Sequence, residues 1–225
     1  MQSNLNSLNR HIRNADWYFD YLSPYPYLQL ARFEELPETL KINPKPVVFA
    51  ALLNHWGHKG PAEIPAKARQ TYLFTHWLAE KRGLPFVGPA RHPFNPLPLL
   101  RLTIHLGSDL ATIRRIYHHV WGEGHDGQSE ESLALLAHKL GVSDLQDAIQ
   151  DPDIKQQLKD NTDEAIARGL YGIPTFHIDD QLFWGDDVTD MFIEYLDNPA
   201  LFKAAINKTK HVTPAVHRIP KGPRT

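Results

Sequence analysis

The sequence predicts an α/β protein in which one small sheet is built from both ends of the chain and interrupted by a large helical insertion. Three observations carry this reading. Compact aromatic and β-branched runs occur before about residue 60 and again after residue 170. Between them apolar residues recur at helical spacing and such runs disappear. The elements are ordered strand, helix, strand at the start and strand, strand, helix at the end, so residues 16–60 and 170–199 would form one discontinuous domain. Residues 61–169 are then an insertion of roughly a hundred residues, comparable to a small domain, and 200–225 a basic tail. A chain of 225 residues is long enough to bury a real core.

The first strand is expected over Asp16 to Leu22, aromatic-rich and stopped by Ser23 and Pro24. Ser23 is a good N-cap, and Pro24 suits the first helical position, where its missing N–H is not needed. Tyr27, Leu28, Leu30, Ala31 and Leu36 continue a helix to about Pro37. The apolar run from Pro46 to Leu53 is bounded by proline and reads as a buried strand, completing a βαβ unit with a parallel pair. In the insertion, Pro65 to Arg82 reads as one helix ended by Gly83. Further helices are expected at 97–106, 110–121, 130–140 and 153–168. Strand chemistry returns at Ile173 to Ile178 and Gln181 to Trp184, joined by Asp179 and Asp180 as a hairpin. Asp186 or Asp187 can cap a last helix through Met191, Phe192, Tyr195 and Leu196. After Pro199 come Lys203, Lys208, Lys210, Arg218, Lys221 and Arg224 with no acidic residue, expected as a loosely packed arm.

Composition removes several functions. With no cysteine, the chain offers no disulfide, no CxxC couple, no cysteine nucleophile and no thiolate metal site, so any sulfur chemistry must arrive with a ligand. Lys+Arg at 24 against Asp+Glu at 26 leaves no global basic field, which argues against nucleic acid as a partner. No apolar run approaches the ~20 residues of a membrane span, and the opening from Met1 to Asp16 is polar, without a secretory apolar core; the expected setting is the cytoplasm. There is no GxGxxG and no phosphate-binding loop. Thirteen histidines include the pairs His55/His58 and His118/His119, but no HExxH or other carboxylate-flanked ligand set, and no metal is expected. Trp56, Trp77, Trp121, Tyr25 and Phe94 read first as core, with a few free to wall a pocket near Ser23.

Five segments in order carry a family resemblance: Tyr21 to Tyr25, Pro61 to Lys67, His92 to Pro96, Gly172 to Phe176, and Phe183 to Asp187. Together they resemble the 2-hydroxychromene-2-carboxylate isomerases and kappa-class glutathione transferases of the thioredoxin superfamily, over roughly residues 16–197. Each segment is weak alone; their order makes the match specific. The resemblance implies a thioredoxin-like fold with the DsbA-like helical insertion, glutathione as cofactor, an aromatic-derived substrate and a homodimer.

The residues and the resemblance meet where a redox protein of this superfamily carries CxxC. Here stand Ser23, Pro24, Tyr25 and Pro26, which excludes thiol–disulfide exchange. A helix start with free N–H groups and a hydroxyl would stabilise an anion. On local sequence Ser23 reads first as a simple cap; the resemblance reverses that and makes the anion the thiolate of glutathione, with Ser23 donating to sulfur as the catalytic contact. Ile173 and Pro174 admit a trans proline at a strand edge, or a cis bond whose Ile173 backbone pairs with the cysteinyl unit of glutathione. By the same resemblance Asp187 would hold the γ-glutamyl ammonium and Asp186 would take a polar position near its carboxylate, though adjacent acids also serve as caps. Lys67 matches the lysine on the glycyl carboxylate, with a solvated helix lysine as the alternative. His58 stands where many relatives have Asn, leaving Asn54 as a nearby substitute, and Val188 stands where relatives often carry Arg. The implied activity is glutathione-dependent isomerisation of an aromatic-derived 2-oxo acid by thiolate addition, rotation and elimination. A kappa-like transferase and a redox-inactive peptide-binding module fit the same residues.

Overall fold

The computed structural model describes residues 12–209, 211 and 212. Four strands form one mixed sheet in the order β2-β1-β3-β4. β1 (Arg13–Phe19) runs parallel to β2 (Leu40–Pro46), with Ala15 opposite Ile42 and Phe19 opposite Pro46. β3 (Thr175–Ile178) is antiparallel to β1, and β4 (Gln181–Trp184) antiparallel to β3. Asp179 and Asp180 join β3 to β4 with φ values of 50° and 58°, the two left-handed residues that a two-residue hairpin demands.

The first strand begins and ends three residues earlier than its aromatic run suggests, and α1 (Pro24–Leu30) is shorter than expected, giving way to a 3₁₀ turn at Phe33–Glu35. A larger correction concerns the second strand. Pro46 to Leu53 is not a strand: β2 precedes it, and Phe49–Trp56 is helix α2. β2 lies at the sheet edge, where Pro44 and Pro46 are tolerated and lysines alternate outward, so it lacks the apolar run of a central strand. The apolar run is instead a helix whose first amide, that of Phe49, is capped at 2.8 Å by the distant Asp20 carboxylate.

The insertion follows its periodicity closely. α3 (Pro65–Lys81), α4 (Leu97–His105), α5 (Leu110–Tyr117), α6 (Glu130–Leu140) and α8 (Pro152–Ala167) stand where expected, and a short α7 (Leu145–Gln150), capped by Asp144, was not foreseen. α5 runs on into a π-helical turn at His118–Gly122. The last helix, α9 (Thr189–Asp197), takes no side-chain cap: its N-cap residue is Val188, and neither Asp186 nor Asp187 performs that role. Where a loose arm is expected, Pro199–Thr209 forms α10, with Phe202 set edge-on against Tyr195. The rest of the tail, from 213 on, lies outside the described residues, as do residues 1–11.

One aromatic core joins sheet and insertion. Trp17, Phe19 and Tyr21 from the β1 side pack with Tyr117 and Trp121 from the helices, all fully buried. Burying each such ring contributes several kcal/mol, so this seam holds the insertion against the sheet. Trp56 and Trp77, expected in the core, are instead 43% and 49% exposed. No described helix is long and apolar enough to cross a membrane.

Candidate active site

The chain leaves β1 at Phe19 and turns into α1 at Ser23, and the insertion grips every residue of this turn. Tyr117 Oη donates to the Asp20 carbonyl at 2.9 Å, Trp121 Nε1 to the Tyr21 carbonyl at 2.9 Å, and His92 Nε2 to the Leu22 carbonyl at 2.7 Å. A carbonyl only accepts, so His92 Nε2 carries its proton, and Nδ1 accepts from Tyr72 Oη at 2.6 Å. Burial lowers the His92 pKa and keeps the ring neutral. Tyr21 Oη meets Thr103 at 2.7 Å. Asp20 is fully buried, and its carboxyl accepts from the amides of Leu22 and Phe49, fastening the turn to α2. Loss of water pushes the Asp20 pKa up from 3.8 to about 7 against those two hydrogen bonds.

Ser23 caps α1, its Oγ accepting from the Tyr25 amide at 3.3 Å. The expected free amides at the helix start are absent. Pro24 and Pro26 have no N–H, and that of Tyr25 is spent on Ser23 Oγ. What the turn does offer is the Ser23 hydroxyl proton, since Oγ uses a lone pair for the cap and its O–H has no acceptor among the described residues.

Ser23 lines a cleft of about 1080 Å³ between the sheet domain and the insertion, larger than many small-molecule sites. Pro24, Tyr25, Asn54, His58, Lys67 and Ile173 line it too. Asn54 sits in the last turn of α2. Gly57 ends that helix with φ +64°, and the His58 amide returns to the Leu53 carbonyl at 2.8 Å, placing Asn54 and His58 on one rim. Lys67, in the first turn of α3, is exposed and has no carboxylate partner among the described residues. The Ile173–Pro174 bond is cis. The Ile173 amide and carbonyl make no hydrogen bond to any described residue, while the Pro174 carbonyl accepts from Gly185 at 2.8 Å. Gly172 lies flush under Trp184: a Cβ there would stand 2.2 Å from the indole nitrogen.

Pro174, Asp186 and Asp187 do not line the cleft. Pro174 is buried behind Ile173. Asp187 is exposed, and its charge, after burial, helps raise the Tyr25 pKa, which places it near the Ser23 helix. Asp186 departs from expectation. Its buried carboxylate is held by both Nη atoms of Arg82, at 2.7 and 2.8 Å, and is not open to a ligand. Arg82 ends α3 and also donates to the Leu28 carbonyl at 2.9 Å. It reaches Asp186 from 104 positions away in the sequence, and the hydrophilic end of a helix gives no signal of that partner. Gln29 was equally hidden. Fully buried in α1, it accepts from Trp17 and donates to the Gly185 carbonyl and to Thr189, anchoring the loop that carries Asp187.

Comparison with known proteins agrees with this architecture. A sequence model of the DSBA-like thioredoxin domain matches residues 15–197. The chain is 29% identical over 183 residues to a 2-hydroxychromene-2-carboxylate isomerase of Pseudomonas putida, covering 77% of this chain and 89% of that protein. It is 27% identical over 217 residues to glutathione s-transferase kappa 2 of Caenorhabditis elegans, covering 86% and 95%. Among solved structures, a selenomethionine 2-hydroxychromene-2-carboxylate isomerase superimposes with a TM-score of 0.72 at 24% identity, over 86% of this chain and 98% of that one. With a sheet drawn from both chain ends, an inserted helical layer and a cis peptide bond before Pro174 at the start of β3, the chain belongs to the DSBA-like thioredoxin domain family.

Proposed function

We propose that this protein is a glutathione-dependent isomerase of an aromatic-derived 2-oxo acid, working in the cleft at Ser23. The observation that carries the reading is the Ser23 hydroxyl, rigidly held in that cleft with its proton unclaimed, in a chain that has no sulfur nucleophile of its own. Names of relatives on both sides, isomerase and glutathione transferase, support the same substrate pair.

The residues present fit glutathione in most particulars. Bound there, it would supply a thiolate that adds reversibly to a conjugated substrate, so that a double bond becomes free to rotate before the thiolate departs unchanged. Ser23 would donate a hydrogen bond to that sulfur and so lower the thiol pKa. Ile173 offers an unpaired amide and carbonyl to the peptide backbone, as an added strand would use them. Lys67 is free to meet the glycyl carboxylate, His58 and Asn54 can donate to the peptide, and Asp187 takes the γ-glutamyl ammonium. Asp186 has no part in this contact set, being committed to Arg82. The chain's work is to bind, orient and stabilise charge. Leu73, Phe74 and Trp77, exposed apolar side chains on α3, support a homodimer.

Calorimetric titration with glutathione, followed by an isomerase assay in which free thiol is counted, tests the proposal. Saturable binding with thiol conserved over many turnovers is the expected result. Consumption of thiol would assign a transferase instead, and absence of binding would leave a peptide-binding module.

A further inference from the structure

On the insertion, remote from the cleft rim, His119, Glu123 and His125 bring three ligand atoms within 4.8 Å of one another. The backbone is built for this convergence. His119 lies in the π-helical turn, a form that recurs at functional sites. Gly124 then adopts φ +83°, with no room for a Cβ against Val87 and Gly88. The chain doubles back so that the His125 amide reaches the His119 carbonyl at 3.2 Å and the two imidazoles stack at 4.1 Å.

The cluster has an electrostatic gap. His119 is 2% exposed, and its Nε2 is satisfied by Ser132 Oγ at 2.9 Å. With Nε2 donating to Ser132, Nδ1 is a bare lone pair, and it is one of the few buried polar atoms among the described residues without a hydrogen-bond partner. It faces Glu123 Oε2, a second lone-pair atom, at 3.6 Å, and His125 Nε2 stands 3.3 Å from that same oxygen. In that tautomer two acceptors are directed at each other, an arrangement that a cation between them resolves. These two separations are close to the edge, about 3.4 Å, of a tetrahedron whose metal–ligand bonds are ~2.1 Å; because the two rings lie face to face, the part-exposed His125 ring turns on binding to bring the ion into its plane. Ser132 completes the pattern in which a ligating histidine donates its other ring nitrogen to a fixing partner.

We propose that His119 Nδ1, Glu123 and His125 Nε2 form a binding site for a divalent transition metal, with zinc or cobalt the chemistry that two imidazoles and one carboxylate suit. A fourth position faces a cavity of about 280 Å³ lined by Arg114, Arg115, His118 and Lys139. Lys139 Nζ holds Glu123 Oε2 at 2.9 Å and stands in for the metal; binding displaces it. The site also bears on the Ser23 turn, because Trp121, inside the π-helical turn, holds the Tyr21 carbonyl. Metal occupancy would brace that turn from behind.

The test uses full-length protein without an affinity tag, stripped by chelator and titrated with Co²⁺ by visible absorption and with Zn²⁺ by calorimetry. One equivalent should bind, with the d–d bands of a low-symmetry nitrogen and oxygen site, and should raise the thermal midpoint. Glu123→Gln and His125→Ala, both at partly exposed positions, should lose a hundredfold or more in affinity while keeping the parent far-ultraviolet circular dichroism. Ser132→Ala should lose about ten- to a hundredfold, and Lys139→Gln should bind more tightly than the parent. His119→Ala is less informative because that side chain is buried in the core. Glu123→Gln and His125→Ala binding like the parent would show metal on scattered surface histidines, and no saturable binding at millimolar Co²⁺ would show an ion-pair cluster only; either result overturns the site.

Discussion

Arg82 and Asp186 give the sharpest test of the structure, because the sequence assigned Asp186 to a ligand and the structure assigns it to a side chain. The Asp186 carboxylate is 4% exposed and takes two hydrogen bonds from a guanidinium that is 19% exposed. Arg82→Ala would strand a buried carboxylate and leave the Leu28 carbonyl without a donor, a loss of about 3–5 kcal/mol. Asp186→Asn should cost less, about 2 kcal/mol, because the freed guanidinium can turn toward water and the amide oxygen still accepts one bond. Combined, Arg82→Ala and Asp186→Asn leave no unpaired buried charge, so the double variant should fall well short of the sum of the single changes, with a coupling of about 2–3 kcal/mol. Urea midpoints at constant slope measure all three. Additive losses, or an Arg82→Ala variant within ~1 kcal/mol of the parent, would show that the ion pair is not formed, and Asp186 would return as a ligand candidate.

Three further outcomes follow from the site. Ser23→Ala should raise the thiol pKa of bound glutathione by about one to two pH units, following ~1.5–3 kcal/mol for a hydrogen bond to a charged group, with about 1 kcal/mol lost from the cap; superimposable thiolate absorbance titrations would leave Ser23 a cap alone. Asp187→Asn should weaken glutathione roughly ten- to a hundredfold, while an analogue lacking the γ-glutamyl amine binds both proteins alike; equal affinity for glutathione itself would remove Asp187 from the site. Asp20, with its pKa raised from 3.8 to about 7 by burial, binds a proton in the folded state that the unfolded chain has released. Its contribution is therefore complete below about pH 4 and is lost as pH rises through about 7, on the order of 4 kcal/mol in all, and Asp20→Asn should flatten that fall in unfolding midpoints. A parent whose stability rises over the same window relative to Asp20→Asn would mean that the two backbone amides outweigh burial.

What was legible in the sequence was what neighbours in sequence decide. α6 matches its expected bounds, and both of its ends are set locally: Ser129 caps it at 3.3 Å and Gly141 closes it in the left-handed conformation. The hairpin was read from two adjacent aspartates, and Ser23, Asn54, His58, Lys67 and Ile173 do share one cleft. What failed was decided at a distance. α2 was mistaken for a strand because its cap, Asp20, lies 29 positions away and its true strand sits at an edge rich in proline. Asp186 looked available because Arg82 is 104 positions off. The helix dipole argument failed for a local reason that was visible: two prolines and one capped amide leave the first turn of α1 no donor to offer.

That last failure shifts the burden of charge stabilisation onto geometry. A single hydroxyl stabilises an anion well only when it is aimed before the charge forms and does not have to reorganise. The segment from Asp20 to Ser23 meets that condition: three successive carbonyls are held by Tyr117, Trp121 and His92, and the Asp20 carboxyl accepts from the Leu22 amide within the turn and from the Phe49 amide of α2. Three of those five anchors come from the insertion, one from α2 and one from the turn itself, and none from the strand that precedes the turn. The insertion is therefore more than a roof over the cleft; it fixes the direction of the Ser23 hydroxyl. Asn54, His58 and Lys67, which in the proposed reading hold the peptide, are exposed instead. Their arrangement suits a division of labour in which an exposed rim meets the peptide and a buried turn waits for its sulfur. Truncating Tyr117 or Trp121 at the indole or phenol donor should accordingly change the thiol pKa of bound glutathione more than its affinity, whereas changes at Lys67 should do the reverse.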